Sequence, residues 1–150
     1  MDYKKILFGY DGSPESMAAF DRVIEVAKRN DAKLIIAHVV KRQHANTESV
    51  SLGFGVVSTD DDIEDILRSR EDKLEVLKQK ANEKGVEDVE IALKIGSPKS
   101  MLSRELPKEY GIDLIVLGAT GLGKVAQAFI GSTASYVVEN SPTDVMIVKN

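Results

Sequence analysis

The run Lys33 to Val40 constrains the fold most, because its centre, Leu34-Ile-Ile-Ala37, is continuously apolar and shows no water-facing alternation. A strand of that composition must be covered on both faces, which is the situation of parallel strands lying beneath helices. Two further runs repeat the signal, Lys5 to Gly9 and Leu114 to Leu117. Each leads into glycine-containing turn residues, Tyr10-Asp-Gly-Ser13 in the first case and Gly118-Ala-Thr-Gly121 in the second.

Helical patterns fill the spaces between these runs. Ser13 is suited to cap a helix, Pro14 to its first position and Glu15 to its positive end. Met17, Phe20, Val23, Ile24 and Ala27 then recur at helical spacing, predicting a helix to about Arg29 with one apolar stripe against a sheet. Asp60 to about Lys84 predicts a longer helix with Ile63, Leu67, Leu74, Leu77 and Ala81 on its apolar face and Gly85 as its stop. Its acidic start, Asp60 to Asp62, reads as helix entrance and solvated surface, since adjacent carboxylates splay around a helix rather than converge on a metal.

Val89 to Ile95 alternates apolar with polar residues or alanine, so it reads as a less buried strand. Gly96-Ser-Pro98 repeats the chemistry near residue 12, with Ser97 as the cap of a short helix. Residues 132–139 predict another helix, and Asp144 to Lys149 a final strand whose exposed edge offers a surface for a second copy of the chain. The polar, glycine-containing segment 41–59 has no persistent period and reads as a loop near the strand ends. The expected fold class is therefore α/β: an open, mostly parallel five-stranded sheet with helices on both faces, in one domain spanning 1–150. Residues 9–13, 39–40 and 118–133 then meet at the carboxyl ends of the strands, where such sheets take their ligands.

Composition narrows the function classes. A 43% hydrophobic and 29% charged chain of 150 residues fits a globular domain, and a net charge of -4 without a basic stripe speaks against nucleic acid as a partner. The absence of cysteine excludes disulfides, thiolate catalysis and cysteine-bound metals. The first apolar run is broken at Gly9-Tyr-Asp-Gly12, too early for a signal peptide or a membrane span, so the expected location is the cytoplasm.

Glycines at a strand end let backbone N–H groups approach a ligand, and the next helix N-terminus adds unpaired donors, a combination that suits phosphate. An ordinary tight turn also uses such glycines. Gly118-Ala-Thr-Gly-Leu-Gly-Lys124 approaches the phosphate-loop pattern GxxxxGK[ST], but Val125 stands where the Mg²⁺-binding hydroxyl belongs, so a conventional phosphate-loop NTPase is excluded. Gly121-Leu-Gly123-Lys-Val-Ala126 lacks the last glycine of GxGxxG. His38, inside an apolar run, reads as a hydrogen-bonded packing residue, His44 as loop surface, and Ser13 as a cap rather than a nucleophile.

Taken together, Gly9-Tyr-Asp-Gly-Ser13, Ala37-His-Val39 and Gly118-x₂-Gly121-x₉-Gly131-Ser132 resemble the ATP-binding branch of the universal stress protein family, over residues 4–149. The resemblance implies a Rossmann-like fold of the adenine nucleotide alpha hydrolase type, ATP as ligand with or without Mg²⁺, a role in stress response, and a homodimer through the C-terminal strand. Carried over residue by residue, it puts adenine near Gly9, Tyr10 and the backbone of Val39, Asp11 near adenosine or ribose, and Leu117 beside the pocket. Gly118 and Gly121 would shape the phosphate turn, with Gly131, Ser132 and Thr133 supplying hydrogen bonds. Thr120 departs from the family, which often has a basic or imidazole residue there; Lys124 offers nearby charge. Two alternatives stay open: a slow ATPase or autophosphorylating protein, and a nucleotide-free dimer that binds another, unidentified protein.

Overall fold

The computed structural model describes residues 2–41, 60–119 and 130–149. Its five strands are β1 (Lys5–Gly9), β2 (Lys33–Val40), β3 (Val89–Ile95), β4 (Leu114–Gly118) and β5 (Asp144–Val148). They form one sheet in the order β3-β2-β1-β4-β5, with every neighbouring pair parallel. Helices α1 (Pro14–Asn30), α2 (Asp60–Glu83), α3 (Pro98–Ser100), α4 (Leu106–Tyr110) and α5 (Ser132–Asn140) lie between successive strands. The chain steps outward from β1 through β2 to β3, then returns to the other side of β1 for β4 and β5. That reversal makes the crevice between β1 and β4 the switch point of the sheet.

Strand alternation builds two cores. Ile6, Phe8, Leu34, Ile36, Leu114 and Val116 face α1 and α2, where Phe20, Val23 and Leu74 meet them. Phe8 and Phe20 stack obliquely, with ring centroids 5.8 Å apart. Leu7, Ile35, Ala37, Ile115 and Leu117 face the opposite side, against Leu102, Leu106 and Val137. The expected stripe of α1 is buried at Phe20, Val23, Ile24 and Ala27, while Met17 is half-buried against the same core. Along α2, Leu74, Leu77 and Ala81 are buried and Ile63 and Leu67 are half-buried. As its alternating sequence suggests, β3 is an edge strand, and so is β5.

One element departs from the sequence reading. The short helix that begins after Ser97 does not run evenly: Met101–Glu105 is a π-helical turn between α3 and α4. Pro107 supplies the reason, because it has no N–H to offer the carbonyl of Ser103, four residues earlier, and its ring crowds that group. The helix widens just before it, with the Leu106 N–H bonded to the Met101 carbonyl five residues back. The turn directs Leu102 and the fully buried Ser103 inward.

Candidate functional site

The ends of β1, β2 and β4 and the start of α5 converge on the switch point, each held by identifiable contacts. Past Gly9, the Tyr10 N–H donates to the Ala37 carbonyl at 2.8 Å. The chain then turns away from the sheet: Asp11 Oδ1 accepts the Ser13 N–H at 2.9 Å, and Gly12 adopts φ 85°, a left-handed value that favours glycine. Ser13 is buried, and its Oγ accepts the Ser16 N–H at 3.1 Å, capping α1. Its hydroxyl thus works within the fold.

On β2, backbone direction alternates along the strand. Ala37 uses its carbonyl toward β1, and Val40 uses its carbonyl toward β3, accepting the Gly96 N–H at 3.0 Å. Val39 therefore aims its N–H and C=O to the β1 side, beyond the last paired residues of those strands, Gly9 and Ala37. Beside it, His38 Nδ1 lies 2.7 Å from the Tyr10 carbonyl oxygen. Burial first, and the charges of Arg70 and Lys73 after it, hold the imidazole below the ordinary histidine range, against the opposing influence of the Tyr10 bond and Asp11.

Two close approaches pack the β4 side. A Cβ on Gly9 would stand 2.6 Å from Leu117 Cδ2 and 3.3 Å from Leu102 Cδ1, so the bare backbone of Gly9 admits both leucines. Gly118 abuts the first turn of α1, where a Cβ would lie 3.0 Å from the Glu15 carbonyl group. Leu102 escapes a sequence reading because it arrives through the π turn at Pro107, and no local pattern marks it as a neighbour of Gly9.

Gly131 is the N-cap residue of α5, and its N–H donates to the Ala119 carbonyl at 2.6 Å, tying α5 to the end of β4. The first helical bond runs from the Ser135 N–H to the Gly131 carbonyl at 2.9 Å. Glycine provides no side-chain cap, so among the described residues the N–H groups of Ser132, Thr133 and Ala134 are orphan donors at the positive end of the helix. The structure thus brings Gly9, Tyr10, Asp11, Val39, Leu117, Gly118, Gly131, Ser132 and Thr133 to one end of the sheet. Gly121, Thr120, Lys124, Val125 and His44 lie outside the described residues, as does all of the 41–59 segment beyond Lys41.

The model of the Universal stress protein family matches residues 2–149. The chain belongs to this family. A curated Staphylococcus aureus (strain USA300) relative named for the universal stress proteins is 38% identical over 148 residues, covering 98% of this chain and 84% of the relative. Universal stress protein UspA from Lactobacillus plantarum superposes with a TM-score of 0.80 at 26% identity, covering 99% of each chain. Another solved universal stress protein, in complex with cAMP, has a TM-score of 0.65 at 29% identity and covers 99% of this chain and 98% of its own. Like those relatives, this universal stress protein chain is similar along nearly its whole length. Among its described residues no helix is long and apolar enough to cross a membrane.

Proposed function

We propose that this universal stress protein binds ATP in the crevice at the carboxyl ends of β1, β2 and β4, and that binding regulates a stress response rather than feeding a dedicated catalytic cycle. The observation that carries the reading is that, among the described residues, a peptide edge at Val39 left unladdered toward β1 and the N-terminus of α5, which has no side-chain cap, meet at one switch point. The Val39 N–H and C=O match the acceptor N1 and donor N6 of adenine. The orphan donors of Ser132 and Thr133 suit phosphate oxygens, with the Ser132 and Thr133 hydroxyls as further partners. Asp11, exposed and already accepting one backbone bond, is suited to a ribose hydroxyl or to a cation such as Mg²⁺ carried by the phosphates.

The relative solved with cAMP supports an adenine-containing ligand for this fold at this level of similarity. In this reading the protein acts in the cytoplasm as a homodimer paired through the free edge of β5. Isothermal titration with ATP, ADP and AMP, with and without Mg²⁺, tests the binding. Saturable adenine-nucleotide binding to folded protein is expected, and silence toward all three nucleotides would remove the proposal. ATP recovered intact after prolonged incubation separates a binder from a slow ATPase.

A further inference from the structure

We infer that His38 is a positioning residue that ends the β1–β2 ladder one rung early and so keeps the peptide edge of Val39 open to a nucleobase. The ladder role stands on the structure alone, and its connection to a base rests on the ATP-binding reading above. In a parallel ladder, a residue of one strand bonds to the two residues that flank its partner on the other. Tyr10 makes the first of these bonds, from its N–H to the Ala37 carbonyl at 2.8 Å. The second would run from the Val39 N–H to the Tyr10 carbonyl, but the paired register stops at Gly9 and Ala37. His38 Nδ1 stands at that carbonyl instead, 2.7 Å away.

A carbonyl oxygen only accepts, so the Nδ1 atom carries the proton, and the imidazole takes the place the Val39 amide would fill. The other side of β2 does not claim Val39, because Val40 is the residue that bonds toward β3. Immediately after Tyr10, the Asp11–Ser13 bond and the left-handed Gly12 carry the chain out of the plane of the sheet. Remove the imidazole donor, and the Tyr10 carbonyl has one ladder partner left among the described residues, the Val39 N–H. Zipping that rung closes the edge.

Amide hydrogen exchange, read residue by residue, tests the ladder role, and ATP titration tests its consequence. In the parent protein the Val39 amide should exchange at least about tenfold faster than the laddered Ala37 amide. His38→Leu should slow Val39 to the Ala37 range and raise the Kd for ATP at least about tenfold. His38→Asn, whose amide nitrogen occupies the place of Nδ1, should restore fast Val39 exchange and an affinity within about threefold of the parent. His38→Gln, which reaches to the place of Nε2, should restore neither. A Val39 amide as protected as Ala37 in the parent would overturn the inference, and that comparison needs no variant to fold. So would folded His38→Leu with unchanged exchange and affinity, or failure of folded His38→Asn to rescue. The expected exchange pattern in a protein that binds no ATP would uphold the ladder role and refute the nucleotide reading.

Discussion

The missing Cβ of Gly118 faces the main chain of Glu15: a carbon placed there would lie 3.0 Å from both the carbonyl carbon and the carbonyl oxygen. Through this contact the end of β4 supports the first turn of α1, whose cap Ser13 belongs to the turn that follows β1. The end of β4 and the start of α1 are thereby braced against each other by backbone, which does not yield as a long side chain does.

Gly118→Ala should accordingly destabilise the protein by about 1–3 kcal/mol, the usual cost of overpacking a site that cannot relax. Urea denaturation of the variant beside the parent measures it. A midpoint unchanged within error would mean that α1 shifts freely on β4.

Gly131→Asp should move stability and ligand affinity in opposite directions. A carboxylate at the N-cap of α5 satisfies orphan donors and adds a few tenths of a kcal/mol over glycine. The same carboxylate occupies the donors and repels phosphate, so ATP affinity should fall about tenfold. Thermal melting and titration on one preparation read both signs; a variant that melts higher and binds ATP as well as the parent would show that the α5 terminus does not hold the phosphates.

His38 should make stability sensitive to acid. Burial, the largest influence, holds its folded-state pKa below the unfolded value of about 6.5, so the unfolded chain binds more protons between the two values. Its contribution is complete above about pH 6.5 and is lost as pH falls through the folded value. Urea midpoints between about pH 5 and 8, compared with those of His38→Asn, should show a component of acid destabilisation that the variant lacks, and an NMR titration should place the ring below the ordinary range.

The β5 edge should pair two chains. Val145, Met146 and Ile147 are all half-buried in the single chain, leaving apolar surface and ladder groups at that edge. Light scattering across concentration should give a dimer mass, and Ile147→Lys should shift it toward monomer while circular dichroism remains native. A parent that stays monomeric contradicts the dimer, and a folded Ile147→Lys that stays dimeric contradicts this contact.

Much of this architecture is legible in the chain because its signals are local. The apolar run at Lys33–Val40, the Ser13-Pro14 start of α1 and the alternation at Val89–Ile95 each depend on neighbours a few residues away. What the sequence hides depends on pairing across the fold. Reading His38 as a hydrogen-bonded packing residue identifies its bond but not its partner, since the Tyr10 carbonyl is 28 positions distant. Gly118 reads as a phosphate-turn glycine, yet its local need for a bare backbone comes from Glu15. Gly131 likewise has an ordinary φ of -59°, so its value at the start of α5 lies in the cap it omits rather than in conformational freedom. The role expected of Val39 rests on the family resemblance alone, because a backbone edge leaves no mark on side-chain identity.

A peptide edge at Val39 that reads adenine must discriminate ATP from GTP, and side-by-side calorimetric titration of the two nucleotides measures that discrimination. Adenine presents an acceptor at N1 and a donor at N6, matching the Val39 N–H and C=O, whereas guanine presents the reverse and would leave both groups unpaired. Saturable ATP binding with GTP at least about tenfold weaker is the predicted result. No saturable ATP binding, or equal affinity for the two nucleotides, would contradict it.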